Sequence, residues 1–204
     1  MKITILIPCH NEEKSIAKCV DSCLNQTRSA DQIFVINDGS NDGSDKILTR
    51  YGDKIEVLTI PFATGNKSRA QEKGLQHVTG DILVTTDGDT ILDKDFLKHI
   101  EKDFLDPNVK AVGGYVKSIK YNWLTACRAL DYAVGQNIDK VAQDYIDYMF
   151  VIPGAAGAFR TEVFKTLGFD HDTLTEDLDF TYKLHKFGHK IKYDKKAICY
   201  TTDP

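Results

Sequence analysis

Two aspartates separated by one glycine, Asp87-Gly88-Asp89, form the segment of this sequence with the sharpest potential chemistry. They follow the apolar run Asp81 to Thr86, which predicts a buried strand. Carboxylates at this spacing can face one cleft, and a divalent cation between them removes their mutual repulsion. Such hard oxygen ligands suit Mg²⁺ or Mn²⁺, which keep open positions for substrate phosphates. The alternative is a solvated turn, because Asp and Gly are the commonest turn formers.

Three further polar segments also follow predicted strands: Pro8-Cys9-His10-Asn11-Glu12, Asn37-Asp38-Gly39-Ser40, and the stretch from Phe62 to Arg69. Ligands of open α/β sheets bind beyond the carboxyl ends of the strands, so we expect all four segments to meet in one cleft. Asp38 is suited to accept hydrogen bonds from a ligand, such as a base ring N–H. Lys67 and Arg69 either meet a phosphate or form a solvated helix start.

Two better-known loop types fail on spacing. Asp38 opens a segment that resembles an EF-hand calcium loop, but the twelfth position is Thr49 rather than Glu. Gly65-Asn66-Lys67-Ser68 resembles the end of a P-loop, but Ile60 stands where its first glycine belongs.

Thr175-Glu176-Asp177 precedes an apolar pattern of helical period. One interpretation is an N-cap, with Thr175 capping the helix and the acids complementing its dipole. The other is a general base that is presented at a helix start.

The elements that must position these segments alternate between strand and helix, which predicts a doubly wound α/β architecture. The predicted strands are Ile3 to Pro8, Gln32 to Ile36, Ile55 to Ile60, Asp81 to Thr86, Val109 to Val116 and Lys190 to Tyr200. The predicted helices open at Asn11 and cover Asp45 to Tyr51, Lys67 to His77, Asp95 to Phe104, Thr161 to Leu167 and Glu176 to Phe187, with a long amphipathic stretch from Trp123 to Tyr148.

Length and composition predict one ordinary globular domain. The chain has 204 residues, 42% of them hydrophobic, with a net charge of −4, which argues against disorder and against a nucleic-acid partner. No apolar run reaches the ~18 residues of a membrane-spanning helix. The odd count of five cysteines indicates reduced thiols in a cytosolic compartment, and Cys19 and Cys23 are expected to pack in the core rather than bind a metal.

In order along the chain, these motifs resemble those of the family 2 inverting glycosyltransferases of GT-A fold. Pro8 to Glu12 is similar to the family's P-x-x-N-E loop, Asn37 to Ser40 to its (D/N)-D-G-S loop, and Asp87-Gly88-Asp89 to its D-x-D. Asn66 to Ala70 is similar to its N-x-G-K-x-x-A segment, with the glycine displaced. Pro153-Gly154-Ala155 with Ala158-Phe159-Arg160, and the segment from Leu174 to Asp179, resemble the processive β-glycan synthases, above all the branch that makes poly-N-acetylglucosamine.

The resemblance implies a Rossmann-like GT-A fold, with a mixed, mostly parallel sheet flanked by helices. It implies metal-dependent, inverting transfer of a sugar, N-acetylglucosamine, from a UDP-sugar to a glycan or other hydroxyl acceptor in polysaccharide synthesis. The implied roles are catalysis by Asp177; nucleotide-sugar binding by Pro8, His10, Asn11, Glu12, Asp38, Lys67, Arg69, Asp87 and Gly88; binding of Mg²⁺ or Mn²⁺ by Asp87 and Asp89; and acceptor binding by Gly154 and Glu176.

That branch also carries a Q-x-x-R-W motif and membrane helices, whereas this sequence reads to Pro204 with Trp123 as its one tryptophan. We therefore expect residues 1–204 to be a single catalytic domain, truncated before that motif. The full-length protein is expected to be membrane-anchored, on the cytoplasmic face, with a glycan or lipid-linked acceptor and no nucleic acid. The alternatives are a nucleotidyltransferase and a non-catalytic module that binds nucleotide sugars.

Overall fold

A mixed sheet forms the centre of the computed structural model, which describes residues 1–120, 122–168 and 175–201. Within these ranges the sheet has eight strands in the order β3-β2-β1-β4-β7-β6-β8-β5. Their bounds are β1 Ile3–Cys9, β2 Gln32–Asp38, β3 Glu56–Ile60, β4 Ile82–Thr85, β5 Ile91–Leu92, β6 Val109–Ser118, β7 Gly157–Arg160 and β8 Lys190–Thr201.

Helices cover both faces of this sheet. Their bounds are α1 Ile16–Leu24, α2 Ser44–Thr49, α3 Lys67–Leu75, α4 Phe96–Asp103, α5 Trp123–Val134, α6 Lys140–Tyr145, α7 Thr161–Leu167 and α8 Glu176–Lys186. Short 3₁₀ turns occupy Gly52–Lys54 and Gly154–Ala156, and a π-helical segment, Gly135–Asp139, joins α5 to α6.

Strand pairing confirms the predicted α/β class. The pairs β1–β2, β1–β4, β2–β3 and β6–β8 are parallel, whereas β4–β7, β6–β7 and β5–β8 are antiparallel. Because β1, β2, β3 and β4 run in one direction, the loops that follow them lie at the same edge of the sheet.

The core has two layers because successive strand residues face opposite sides of the sheet. On β1, Ile5 and Ile7 belong to the apolar cluster that includes Phe96, whereas Leu6 belongs to the opposite cluster with Phe180. Burying a side chain such as Phe96 contributes about 1.5–3 kcal/mol. The strand-like apolar runs of the sequence therefore indicate a sheet that is covered on both faces.

The cysteines match the prediction of apolar packing. Cys19 and Cys23 are fully buried on the inner side of α1, and both are free thiols. Cys9 and Cys199 are also buried and free, and Cys127 is exposed and free.

The structure differs from the predicted elements in three places. The helix predicted to open at Asn11 begins at Ile16, because Asn11 has a left-handed φ of 57° and its loop bends away first. Ile91–Leu92 forms an edge strand of two residues, which is too short for a hydrophobic pattern to predict. Gly157–Arg160 forms the antiparallel strand β7, which is not among the predicted strands.

Many apolar side chains are exposed along the helical stretch that comprises α5, the π-helical segment, α6 and its C-cap residue. They include Trp123, Leu130, Ile138, Tyr145 and Ile146. The described residues leave this face uncovered. Across the same ranges, no helix is both long and apolar enough to cross a membrane.

Candidate active site

A cavity of about 600 Å³ opens where the carboxyl ends of β1, β2 and β4 meet. All four polar segments contribute residues to its wall. It is lined by Pro8, Cys9, His10, Glu12, Asp38, Ala63, Gly65, Asn66, Lys67, Ala70, Asp87, Gly88 and Asp89. The convergence predicted from the strand-end rule is therefore present.

The Asp87-Gly88-Asp89 turn follows β4 and is closed by a hydrogen bond from Thr90 N–H to the Asp87 carbonyl (3.0 Å). A Cβ at Gly88 would lie 3.1 Å from Glu12 Cγ and 3.2 Å from the Pro8 carbonyl oxygen. Glycine therefore lets this turn pack closely against the loop after β1. Both aspartates are half-buried and line the cavity.

Lys67, at the start of α3, connects the two acidic parts of the site. Its ammonium forms an ion pair with Asp87 and lies 3.7 Å from Glu176 Oε1. Burial alone would lower the pKa of Lys67, but the carboxylate of Asp87 outweighs burial and raises that pKa above its ordinary value. Lys67 thus supplies a fixed positive charge inside the pocket rather than on a solvated helix start.

Arg69 does not line this cavity, although it lies only two residues from Lys67. Side chains two residues apart on a helix point to different sides, so α3 cannot present both cations to one pocket. Arg69 is exposed instead.

Asp38 is buried at the end of β2 and holds the loop that follows β3. Its carboxylate accepts hydrogen bonds from Thr64 N–H (2.9 Å) and from the Thr64 hydroxyl (2.6 Å). Gly39, with φ of +62°, must remain glycine here, because a Cβ would lie 2.2 Å from the Ala63 nitrogen. Each Asp38 oxygen keeps a second lone pair that a ligand in the cavity could use.

The loop after β1 is tied to the loop after β2. His10 Nδ1 lies 2.6 Å from the Asp38 carbonyl oxygen. Asn11 accepts a hydrogen bond from Asn41 N–H (2.9 Å) and donates its own N–H to the Ser40 hydroxyl (3.0 Å). His10 faces the cavity, whereas Asn11 lies outside its wall and joins the loops after β1 and β2.

Asp177 lies in the first turn of α8, beside a second, smaller cavity of about 20 Å³. This cavity is lined by Gln71, Thr85, Ile152, Gly154, Phe159, Phe164, Glu176, Asp177 and Phe180. Burial raises the pKa of the Asp177 carboxyl above its ordinary value, against the opposing field of Lys67. A half-buried carboxylate with a raised pKa beside a cavity is suited to general-base chemistry.

The N-cap interpretation of Thr175 is only partly met. Thr175 occupies the N-cap position of α8, but its side chain makes no capping hydrogen bond within the described structure. Glu176, Asp177 and Asp179 lie in the first turn, where they complement the helix dipole. Leu174, the first residue of the predicted motif, and residues 202–204 lie outside the described residues.

Gly154 fixes the orientation of Asp177. Its N–H donates to Asp177 Oδ2 at 2.7 Å. A Cβ at position 154 would lie 2.6 Å from Asp177 Oδ1 and 2.8 Å from Oδ2. Only glycine therefore lets the backbone approach this carboxylate so closely.

We predict that Gly154→Ala lowers turnover about 10- to 100-fold, because the added methyl group displaces the Asp177 carboxylate from its position. The measurement is steady-state kinetics together with thermal unfolding. Gly135→Ala is the matched control, because the new Cβ would meet only Asp139 at 3.8 Å. Wild-type turnover of a folded Gly154→Ala variant would contradict this account of the contact.

The oxygen ligands at this cavity fit a hard divalent cation whose remaining coordination positions are filled by substrate oxygens. Asp87, Asp89 and Glu12 bring carboxylates to one cavity wall, and Lys67 already balances charge at Asp87. In the part of the chain that the structure describes, no group of three or more His, Cys, Asp or Glu side chains could hold a metal ion alone. Two aspartates that leave positions for phosphate oxygens match the way Mg²⁺ is usually bound.

Four residues of the site were not predicted from the sequence: Thr64, Thr85, Lys140 and Thr181. Thr64 binds Asp38, Thr85 donates to the Gly154 carbonyl (3.0 Å), and Thr181 donates to the Asp177 carbonyl (2.7 Å). Among them only Thr181 carried a local signal, since it lies four residues after Asp177 on a predicted helix.

The sequence model described as "Glycosyl transferase family 2" matches residues 4–168. Proteins named poly-beta-1,6-N-acetyl-D-glucosamine synthase from Staphylococcus epidermidis and from Staphylococcus aureus (strain COL) are each 27% identical over 206 residues. These matches cover 99% of this chain and 50% of each relative. The chain therefore spans about half the length of these curated relatives.

Solved structures share the fold. The mannosyltransferase PcManGT from Pyrobaculum calidifontis, in complex with GDP-Man and Mn²⁺, has a TM-score of 0.81 and 24% identity, covering 100% of this chain and 57% of that one. TarS from S. aureus, in complex with UDP-GlcNAc, has a TM-score of 0.81 and 20% identity, covering 100% and 59%. The mixed α/β sheet with flanking helices is therefore a glycosyltransferase fold of the GT-A type.

Proposed function

The chain is a glycosyltransferase that belongs to glycosyl transferase family 2, and we propose that it moves a sugar from a UDP-sugar to a hydroxyl acceptor with inversion at the anomeric carbon. The observation that carries the proposal is the pairing of two sites through Lys67. Its ammonium contacts Asp87 in the large cavity and lies near Glu176, next to Asp177. This contact supports a donor site beside a base, the juxtaposition that a transfer reaction requires.

N-acetylglucosamine is the sugar we propose, for a glycan or lipid-linked acceptor in polysaccharide synthesis. The support is the name of the Staphylococcus relatives, whose product is a polymer of this sugar, together with the UDP-GlcNAc that TarS binds. Membrane anchoring of the complete protein on the cytoplasmic face stays a prediction from the sequence resemblance.

In the proposed donor complex, uridine lies against Asp38 and the loop from Pro8 to Glu12, with the diphosphate toward Asp87 and Asp89. Asp89, aided by Asp87, would hold Mg²⁺ or Mn²⁺, which when bound supplies positive charge to the departing diphosphate. Lys67 lies on the same side and adds its ammonium charge to that of the ion. Asn11 supports this loop through its bond with Asn41, and Arg69 is not required for the donor pocket.

Asp177 is the proposed base. Its carboxylate takes the proton of the acceptor hydroxyl, the hydroxyl oxygen forms a bond to the anomeric carbon, and the bond from that carbon to the phosphate oxygen breaks. UDP leaves with the electron pair, so one base suffices for a single displacement. The Gly154 N–H holds the Asp177 carboxylate beside the small cavity. We propose that Glu176, which also lines this cavity, contacts the acceptor.

This role predicts a pH dependence. A base must be ionised to accept a proton, so activity is lost as pH falls through the pKa of Asp177. Because burial raises that pKa, the acid limb of kcat/KM lies above the value of about 3.9 that an ordinary aspartate has. The measurement is kcat/KM against pH at saturating Mn²⁺, with UDP affinity followed in parallel as the control for donor binding. An acid limb at or below the ordinary aspartate value would contradict the assignment.

The experiment that tests the function is a calorimetric titration with UDP, with and without Mn²⁺, followed by an assay of UDP release from UDP-GlcNAc. A glycosyltransferase binds UDP more tightly with Mn²⁺ and releases UDP. A nucleotidyltransferase would instead release pyrophosphate from UTP and a sugar phosphate. A non-catalytic module would bind UDP-GlcNAc without releasing UDP.

A further inference from the structure

Residues 151–154, which lead into the 3₁₀ turn Gly154–Ala156, lie against α8 and are named here the strap. Pro153 within it has φ −67° and ψ 131°, which is extended backbone. Two strap N–H groups bind α8: Ile152 N–H donates to the Thr181 hydroxyl at 3.0 Å, and Gly154 N–H donates to Asp177 at 2.7 Å. The strap therefore meets the helix at two points.

The spacing of these points matches the two kinds of backbone. Two residues of extended chain span about 6.6 Å, and four residues of helix rise about 6 Å. Ile152 and Gly154 can therefore bind Thr181 and Asp177, one turn apart on the same helix face, without distortion of either element. Displacing one contact is expected to shift the other, because the two N–H groups are only two residues apart.

Thr181 is fully buried, and its hydroxyl both donates and accepts a hydrogen bond. It donates to the Asp177 carbonyl at 2.7 Å, which is the usual bond of a helical threonine to the residue four positions earlier. The bond that it accepts from Ile152 is not part of the helix. One hydroxyl therefore joins the backbone of Asp177 to the strap whose Gly154 binds the side chain of Asp177.

The peptide group between Val151 and Ile152 is also held on its carbonyl side. The Lys140 ammonium donates to the Val151 carbonyl, and the C=O of Val151 and the N–H of Ile152 belong to one planar peptide. Lys140 follows the π-helical segment Gly135–Asp139, a kind of distortion that is frequent at functional sites. Burial lowers the pKa of Lys140 to about 8. The peptide is thus fixed between Lys140 on one side and Thr181 on the other.

We propose that Thr181 is a positioning residue for the transfer reaction, because its hydroxyl sets the strap against α8 and thereby the orientation of the Asp177 carboxylate. The inference rests on the proposed role of Asp177 as the base. It adds that the orientation of the Asp177 carboxylate depends on a buried hydroxyl, that of Thr181, which lines neither of the two cavities.

The test compares Thr181→Val, which keeps the shape and removes the hydroxyl, with Thr181→Ser, which keeps the hydroxyl. We expect kcat to fall about 10- to 100-fold in Thr181→Val, with the KM for UDP-GlcNAc and the affinity for UDP in Mn²⁺ within about twofold of wild type. Thr181→Ser should restore kcat to within about threefold. Thr166→Val on α7 is the matched control, since Thr166 makes the same helical bond to the Glu162 carbonyl (2.7 Å), and it should leave kcat unchanged.

The pH profile separates positioning from a general loss of stability. The Gly154 N–H lowers the pKa of Asp177, so displacement of the strap in Thr181→Val should move the acid limb of kcat/KM to higher pH. The charged groups around the base, Lys67, Glu176, Asp87 and Lys140, are unchanged by this substitution. Thermal unfolding shows whether the variant is folded at the assay temperature; if it is not, Thr181→Ser and Thr181→Ala are compared in its place.

Two failures are distinguishable. If the wild-type protein releases no UDP from UDP-sugars, the proposed function fails. If wild type does so and folded Thr181→Val keeps its kcat and acid limb, or loses donor affinity in proportion to kcat, the positioning role is overturned. Failure of Thr181→Ser to restore kcat would also overturn it.

Discussion

Asp177→Asn is expected to lower kcat about 10²- to 10⁴-fold and to leave UDP affinity in Mn²⁺ within about threefold of wild type. Asparagine has the same shape and still accepts the Gly154 N–H, but its amide cannot take a proton from the acceptor hydroxyl. The loss should therefore appear in the chemical step and not in donor binding. Steady-state UDP release and calorimetry with UDP measure the two quantities separately.

Asp179→Asn provides the control for this prediction. Asp179 lies in the same first turn of α8 and pairs with Lys183 at 3.1 Å, so the substitution makes an equal change of charge near the helix start. Its kcat should stay within about twofold of wild type. Equal losses in both variants would assign the effect of Asp177→Asn to the helix rather than to a base.

Asp89→Asn should weaken UDP binding in Mn²⁺ about 10- to 100-fold and lower kcat/KM by at least that factor, because it removes a carboxylate ligand from the proposed metal site. The affinity for UDP measured in EDTA should change little, since Asp38 and the loop after β1 are untouched. Calorimetric titrations of both proteins, each with Mn²⁺ and with EDTA, give the four affinities that decide this point.

Asp81→Asn is the matched control, because Asp81 lies just before the opposite end of β4, where its carboxylate accepts the N–H of Lys2 (2.8 Å). It should leave UDP binding unchanged with and without Mn²⁺. If Asp89→Asn binds UDP equally well with Mn²⁺ as wild type, Asp89 is not a metal ligand.

The position of the donor pocket could be predicted because it depends on sheet topology alone. Apolar runs such as Ile3 to Ile7 identify buried parallel strands, and the ends of such strands must share an edge. Asp38, Asp87 and Asp89 follow those strands directly, so their convergence needs no knowledge of tertiary packing.

Side-chain direction could not be predicted with the same certainty. The sequence predicts that Arg69, like Lys67, binds the nucleotide sugar, whereas its position on helix α3 leaves Arg69 exposed and outside the cavity wall. Asn11 was predicted to contact the nucleotide, but its left-handed backbone directs its amide to Asn41. The rotational position on helix α3 determines where Arg69 points, and the backbone φ of Asn11 determines where its amide points. A sequence motif specifies neither of these.

The contacts that orient Asp177 depend on long-range packing. Gly154 lies 23 positions earlier in the chain, and Lys140 belongs to a helix whose π-helical distortion is not visible as a change of hydrophobic period. The strap precedes β7, which pairs between β4 and β6, so its contacts with α8 depend on the assembled sheet. The sequence motifs therefore indicated Asp177 as a candidate base and Gly154 as an acceptor-binding residue, but not the hydrogen bond between them.

The most direct test of the account is the configuration of the first product formed from UDP-GlcNAc, in which the sugar is α-linked. Proton NMR of the reaction with Mn²⁺, recorded before mutarotation proceeds, reports the anomer transferred to water or to an added acceptor. A single displacement assisted by Asp177 predicts a β-configured product in wild type and almost none in Asp177→Asn. An α-configured product would contradict it.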